Sequence, residues 1–199
     1  RTAPAGDELP ADVHEAFLMM ARTLAQRTAQ LHGALATVTG NRDFDPEPLT
    51  RGDLDGYRQR AVSEAREAFV LLKLNMEQIP AADRSKADEV LALQDRLLAR
   101  LEVNASQETQ GQKIRIHGDY HLGQVLVTRN DFVIVDVEGE PGHTVEERRA
   151  KQSPLRDVAS MLRSFSYVEH SALRSVAHDE VEYSKLAPLV HHWAMQVRE

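Results

Sequence analysis

The fold can be inferred from two nearby segments, Ile116-His117-Gly118-Asp119-Tyr120-His121-Leu122-Gly123-Gln124-Val125 and Val133-Ile134-Val135-Asp136-Val137-Glu138. Their polar side chains stand at fixed intervals: a histidine, an aspartate two residues later, an amide five residues after that, and a second aspartate in a later apolar run. The β-branched segments flank residues 129–131, whose sequence Arg-Asn-Asp is typical of a hairpin connection. The pattern predicts a glycine-shaped loop followed by two antiparallel strands, 124–128 and 132–137.

The residue types at these intervals fit phosphoryl transfer. A hydroxyl group that accepts a phosphoryl group needs a carboxylate to orient it and take its proton, and Asp119 can present one. Nucleotide phosphates need a divalent cation, and Mg²⁺ prefers oxygen ligands such as the Asp136 carboxylate and the Gln124 carbonyl. Because the spacing matches the kinase catalytic loop, we predict Asp119 as the base and Gln124 and Asp136 as the groups that hold the metal and its nucleotide.

The composition excludes several other classes of function. The 199 residues include 24 Lys and Arg against 31 Asp and Glu, a formal net charge of −7, which argues against nucleic acid or a membrane surface as a partner. The absence of Cys excludes disulfide scaffolds, thiolate zinc sites and cysteine nucleophiles. No apolar run approaches the ~18 residues of a membrane span, and residues 1–10 lack the core of a signal peptide, so we expect a cytoplasmic protein.

The rest of the chain is predicted to be helical and to form a single lobe in three parts. Residues 1–110 form the first helical part, 111–142 the catalytic loop and metal-binding hairpin, and 143–199 the C-terminal helices. Apolar spacing and cap signals predict helices over 11–39, 53–76, 85–101, from 154 onward and over 181–199. The last helix is expected to have a kink or break near Pro188, and a short strand is expected over 113–116.

Three segments, 117–124, 135–141 and 147–165, carry a resemblance to a known family. Together they resemble the aminoglycoside phosphotransferase and choline kinase-like superfamily, and within it the maltokinases, including those fused behind trehalose synthases. The segment Arg27-Thr28-Ala29-Gln30-Leu31-His32 is similar to the first long helix of the maltokinase C-terminal lobe. The resemblance implies the C-terminal lobe of a protein-kinase-like fold, mainly α with a small β-hairpin region.

The resemblance also implies an activity and roles for individual residues. The activity is phosphorylation of maltose at its anomeric hydroxyl by ATP with Mg²⁺, which gives maltose 1-phosphate, and another small sugar is the alternative acceptor. Asp119 is then the catalytic base, and Gln124 and Asp136 are the metal ligands. His117 packs the loop, and Asp157 hydrogen-bonds the loop backbone from below.

A complete kinase also needs a mainly β N-terminal lobe with a phosphate-covering loop and a nucleotide-gripping lysine. This sequence has no glycine-rich phosphate loop, and its first 110 residues are helical in pattern. We therefore expect the N-terminal lobe to be absent and both ends to be trimmed, so that the fragment alone has negligible kinase activity. The expected partners are the missing lobe and a trehalose synthase domain of the same chain.

Three alternatives stay open at this point. One is a metal-dependent hydrolase built on His117, Asp119 and His121, because alternate residues of an extended strand share a face. Another is a noncatalytic kinase-like module of a larger fusion protein. The third is a kinase for another small hydroxyl acceptor, such as an aminoglycoside, choline or homoserine.

Overall fold

A computed structural model of the protein describes residues 14–103 and 110–198. In chain order the elements are α1 (Glu15–Leu35), β1 (Glu47–Pro48), α2 (Arg51–Leu74), α3 (Arg84–Ala92), α4 (Gln94–Leu101), β2 (Gln112–Lys113), β3 (Val125–Thr128), β4 (Asp131–Ile134), α5 (Val145–Arg149), α6 (Leu155–Val176) and α7 (Glu180–Arg198). Short 3-10 turns cover Met76–Gln78, Ala81–Asp83 and Leu122–Gln124. The predicted class, mainly helical with one small hairpin region, is confirmed.

The chain divides into two compact units. Unit 1 combines Arg1–Glu47 with Gln112–Glu199, and unit 2 is Pro48–Gly111. Of the two predicted boundaries, the one at residue 110 lies next to a unit boundary, and the one at residue 142 lies inside unit 1. The assignment of the chain to a single lobe stays a prediction.

The core of unit 1 lies where α1, α6, the loop 117–124 and the hairpin meet. Its centre is Leu24, Tyr120 and Met161, each at most 6% exposed. Five partly buried apolar residues pack against this centre: Leu122, Val125, Phe132, Ile134 and Phe165. Because Tyr120 belongs to the loop itself, burial of this ring stabilises the loop conformation.

The hairpin forms with the connection expected from the sequence. β3 and β4 are antiparallel, with Val125 opposite Ile134 and Thr128 opposite Asp131, so that only two residues make the turn. The first of them, Arg129, takes a φ of 55°, as primed hairpin turns require. The second strand was predicted to reach residue 137 but ends earlier, because the backbone turns into the left-handed region at Asp136, where φ is 64°.

Unit 2 is built from α2, α3 and α4. The Thr50 hydroxyl accepts the Asp53 N–H, and the Asp53 carboxylate accepts the Thr50 N–H. These two bonds cap the helix, so α2 begins at Arg51, two residues before the start predicted at residue 53. The predicted helix over 85–101 is interrupted at Leu93, which separates α3 from α4. The ends of the unit meet, since the Leu49 N–H donates to the Gly111 carbonyl at 2.8 Å.

Other predicted boundaries shift or fall outside the described residues. The strand expected over 113–116 shortens to Gln112–Lys113, and Ile114 pairs separately with Gln152 through bonds of 3.0 and 2.9 Å. α7 continues through Pro188 without a break. The predicted helix start at residues 11–13 and the helix end at residue 199 lie outside the described part of the chain. Among the described residues, no helix has the length and apolar character needed to span a membrane.

Candidate active site

His117 begins the loop 117–124 and is fully buried. Its Nε2 lies 2.9 Å from the carbonyl oxygen of Val135, which can only accept a hydrogen bond, so Nε2 carries the ring hydrogen. The Nδ1 atom is then free to accept the Asp119 N–H, at 3.4 Å. The imidazole thus joins the backbone of the loop to the backbone next to Asp136.

Asp157 lies beneath the loop, near the start of α6, and is 1% exposed. Its Oδ2 accepts the His117 N–H at 2.9 Å, and its Oδ1 accepts the Gly118 N–H at 3.0 Å. The His32 Nε2 lies 2.9 Å from the same Oδ2. Burial raises the pKa of the Asp157 carboxyl, but the bonds from His32 and the two backbone N–H groups outweigh burial, and the pKa lies below its usual value.

The loop meets the segment after the hairpin backbone to backbone. Gly118 and Gly139 both have positive φ angles, 83° and 81°. A Cβ atom on Gly118 would lie 3.2 Å from the Cα of Gly139. Only glycine fits at residue 118 without strain, because it tolerates this φ and leaves room for the close approach.

The hairpin brings Gln124 and Asp136 together. The Val135 N–H donates to the Gln124 carbonyl at 3.0 Å, which extends the ladder beyond the last strand pair. The Gln124 Nε2 donates to Asp136 Oδ2 at 3.1 Å. Asp136 stands at the strand end with its side chain exposed and its backbone at a φ of 64°. Such angles are uncommon for residues other than glycine and cluster at functional sites.

The donor set of this pair fits Mg²⁺. A carboxylate and an amide oxygen are hard ligands, and Mg²⁺ keeps waters and substrate phosphates as its remaining ligands. The described residues contain no group of three or more His, Asp or Glu side chains able to hold a metal ion. A cation held by Gln124 and Asp136 would therefore take its remaining ligands from water and from the phosphates of a substrate.

Asp119 presents a half-buried side chain, 31% exposed. Its Oδ1 lies 3.8 Å from His121 Nε2. The connection from Asp119 to Asp136 runs through His117, which contacts the Asp119 N–H on one side and the Val135 carbonyl on the other. The roles of Asp119, Gln124 and Asp136 in chemistry stay predictions.

The hydrolase alternative loses one of its three ligands in this arrangement. Both ring nitrogens of His117 hydrogen-bond to the backbone, and the ring is fully buried. The His121 Nδ1 accepts the Gly123 N–H at 3.0 Å. A chelate of His117, Asp119 and His121 is therefore not formed.

Sequence reasoning missed the contribution of α1 to the site. Arg27 makes a two-pronged contact with Asp131 at the start of β4, with Nε to Oδ1 and Nη2 to Oδ2 both at 2.7 Å. Hydrogen bonding with Arg27 holds the pKa of the Asp131 carboxyl below its usual value. This contact attaches α1 to the turn end of the hairpin.

Next to Arg27 on α1, Thr28 contacts the loop. Its hydroxyl donates to the Leu24 carbonyl at 2.9 Å, so the hydrogen in the 2.7 Å contact with Tyr120 comes from the tyrosine. The only signals for these contacts in the sequence are the resemblance of segment 27–32 and the spacing of Leu24, Thr28 and His32, which puts them on one helix face.

Comparison with known proteins relates the chain to sugar kinases. The model of the phosphotransferase enzyme family (APH) matches residues 6–189. The glucosamine kinase of Streptacidiphilus jiangxiensis is 28% identical over 151 residues, 76% of this chain and 31% of that protein. The glucosamine kinase of Mycolicibacterium smegmatis is 29% identical over 161 residues, 80% of this chain and 34% of that protein. The chain thus spans about a third of the length of these curated relatives.

Solved structures show the same fold. A glucosamine kinase in complex with glucosamine, ADP and inorganic phosphate superposes with a TM-score of 0.64 at 23% identity, covering 93% of this chain and 40% of that chain. Glucosamine kinase in crystal form B also gives a TM-score of 0.64 at 23% identity, covering 93% of this chain and 41% of that chain.

Proposed function

Since the chain belongs to the phosphotransferase enzyme family, we propose that it supplies the catalytic loop and the metal-binding hairpin of an ATP-dependent sugar kinase. The reaction forms a bond between a sugar hydroxyl oxygen and the γ-phosphorus of ATP, breaks the bond from that phosphorus to the bridging oxygen, and releases ADP. The hydroxyl proton goes to a carboxylate. Such catalysis rests mainly on positioning and on neutralising phosphate charge.

The observation that carries the proposal is the 3.1 Å contact between Gln124 and Asp136 beside the loop that bears Asp119. Gln124 and Asp136 would hold the Mg²⁺ of the nucleotide. When bound, that ion neutralises phosphate charge and orients the phosphates. The Val135 N–H bond to Gln124 keeps the two side chains at adjacent positions on the hairpin before any substrate arrives.

Asp119 is proposed as the group that orients the sugar hydroxyl and takes its proton. Its side chain is accessible at 31% exposure, as a base that meets a substrate must be. The preceding residues His117 and Gly118 are fixed through their N–H groups by the Asp157 carboxylate. A base on an immobilised backbone loses little entropy when the substrate binds.

Two similarities bear on which sugar accepts the phosphoryl group. The residues of 117–124, 135–141 and 147–165 resemble maltokinases and favour maltose, whereas the curated relatives are named glucosamine kinases. We propose a small sugar with a reactive hydroxyl, and the two compounds are the first to test.

The test is transfer of labelled phosphate from ATP to maltose, glucosamine, glucose and an aminoglycoside, using the protein expressed from its complete reading frame. The variants Asp119→Asn and Asp136→Asn should each lower kcat by roughly 10²- to 10⁴-fold. Asp88→Asn, an exposed aspartate on α3, serves as the matched control and should leave kcat unchanged.

Two results would contradict the proposal. One is a wild-type protein that transfers no phosphate to any acceptor, which favours the noncatalytic module. The other is an Asp136→Asn variant with wild-type kcat and wild-type dependence on Mg²⁺ concentration.

A further inference from the structure

The Asp157 carboxylate receives three hydrogen bonds, and only two of them come from the loop that it supports. His117 and Gly118 contribute backbone N–H groups at 2.9 and 3.0 Å. The third partner, His32, belongs to α1, 125 residues away in sequence, and shares Oδ2 with His117. The direction in which the carboxylate points is therefore set by two different helices and one loop.

His32 must act as the donor in this contact. The carboxylate of Asp157 accepts two N–H groups and carries a lowered pKa, so it is ionised and has no hydrogen to give. The His32 Nε2 therefore holds the hydrogen. Its side chain is 14% exposed, so little water competes for the bond. Charge-assisted bonds of this kind are stronger and shorter than bonds between neutral groups.

α1 itself is fixed to the rest of unit 1 by three residues that precede His32. Leu24 is in the core, Thr28 accepts the Tyr120 hydroxyl at 2.7 Å, and Arg27 binds Asp131. His32 follows Thr28 by one helical turn. The imidazole thus reaches Asp157 from a helix that already contacts both the loop and the hairpin.

We infer that His32 is a positioning residue for phosphoryl transfer: through Asp157 it fixes the backbone of His117 and Gly118 and so places the carboxylate of Asp119. The inference rests on the proposed function. Without the His32 hydrogen, the carboxylate keeps its two backbone partners but loses one of the three contacts that set its direction, and the loop should then shift slightly. Displacements of this size at a base lower kcat more than they raise KM.

The experiment compares His32→Leu, which removes the donor at similar volume, His32→Ala, which leaves space for water, and His32→Gln, whose amide N–H can donate to Asp157. The first two should lower kcat by roughly 10- to 100-fold, with less than about a threefold change in KM for ATP, because Gln124 and Asp136 are held by the hairpin. His32→Gln should recover most of kcat. Rates are expressed per folded molecule, with the folded fraction taken from circular dichroism.

His191→Ala is the matched control. His191 also contacts a carboxylate, Glu169 at 3.2 Å, but its side chain is 66% exposed and the pair joins α6 to α7 rather than to the loop. This variant should keep wild-type kcat. A fall in kcat equal to that of His32→Ala would overturn the inference.

Two further readouts separate positioning from a general effect on the fold. In an Asp119→Asn background, the His32→Leu substitution should cause almost no additional loss of kcat, because the two residues act through one group. In NMR spectra, the chemical shift of the Gly118 amide proton should change in His32→Leu and stay near its wild-type value in His32→Gln.

The outcomes distinguish the inference from the function that it rests on. A wild-type protein that transfers no phosphate refutes the proposed function and the inference with it. Wild-type transfer combined with an unchanged kcat in His32→Leu, or with independent losses in the double variant, overturns the inference alone. If neither the Leu nor the Ala variant folds, a tenfold or greater loss in the folded Gln variant overturns it as well.

Discussion

Gly118→Ala is expected to lower both stability and activity, because Gly118 satisfies two separate constraints. Its φ of 83° lies in the left-handed region, and a Cβ atom would lie 3.2 Å from the Cα of Gly139. The backbone angle costs an alanine about 1–2 kcal/mol, and an added methyl group in a filled space costs about 1–3 kcal/mol. We therefore expect the free energy of unfolding to fall by about 2–5 kcal/mol.

Gly40 provides a control that separates the two costs. It has the same φ of 83°, but among the described residues beyond its chain neighbours no atom lies within 4 Å of the position that an added Cβ would take. Gly40→Ala should therefore cost only the backbone part, about 1–2 kcal/mol. Urea unfolding of the wild type and both variants, followed by far-UV circular dichroism with the denaturant slopes compared, gives the two free energies.

The difference between the two variants measures the contact between Gly118 and Gly139. Equal destabilisation by Gly118→Ala and Gly40→Ala would refute the close approach of the loop to the segment after the hairpin. The kcat of Gly118→Ala should also fall, since the Gly118 N–H binds Asp157 and the next residue is Asp119. Wild-type kcat in this variant would contradict the rigid loop.

Three other predictions concern residues that hold the loop 117–124 and the hairpin in place. Because the pKa of Asp157 is lowered, its ionised form stabilises the protein above about pH 4, and this contribution is lost as the pH falls through the lowered pKa. The difference in unfolding free energy between the wild type and Asp157→Asn, measured by urea titration, should therefore shrink from about pH 7 to about pH 3. Arg27→Asp and Asp131→Arg should each lower the melting temperature, and the double reversal should restore it more at low salt than at high salt. Tyr120→Phe should lower the unfolding free energy by about 1–2 kcal/mol, because it removes a buried hydrogen bond to Thr28; a Tyr120→Phe variant as stable as the wild type in urea would contradict that bond.

The hairpin could be predicted because its determinants are local. The residues that pair, from Val125 to Ile134, lie within one short segment, and alternation together with a two-residue turn sets their register. The early end of β4 could not be foreseen. It depends on the positive φ of Asp136, and an aspartate in a β-rich run does not signal that angle.

The contacts that α1 makes with the hairpin and with Asp157 could not be predicted, for a different reason. Arg27 pairs with a residue 104 positions away, and His32 with one 125 positions away. Helical periodicity indicates that such residues share a face of α1, but it does not identify what covers that face. The break at Leu93 likewise has no glycine or proline to mark it in the sequence.

The bond between the Leu49 N–H and the Gly111 carbonyl bears on the order of folding. α1 can meet the loop 117–124 only after the intervening chain has closed, and the entropy lost in that closure grows with the logarithm of the segment's length. Unit 2 packs within itself and joins its own ends at 2.8 Å. If unit 2 folds first, the segments left to close are residues 36–47 before it and 112–116 after it. Changes in the lengths of the loops inside unit 2 should then leave the closure of unit 1 almost unaffected.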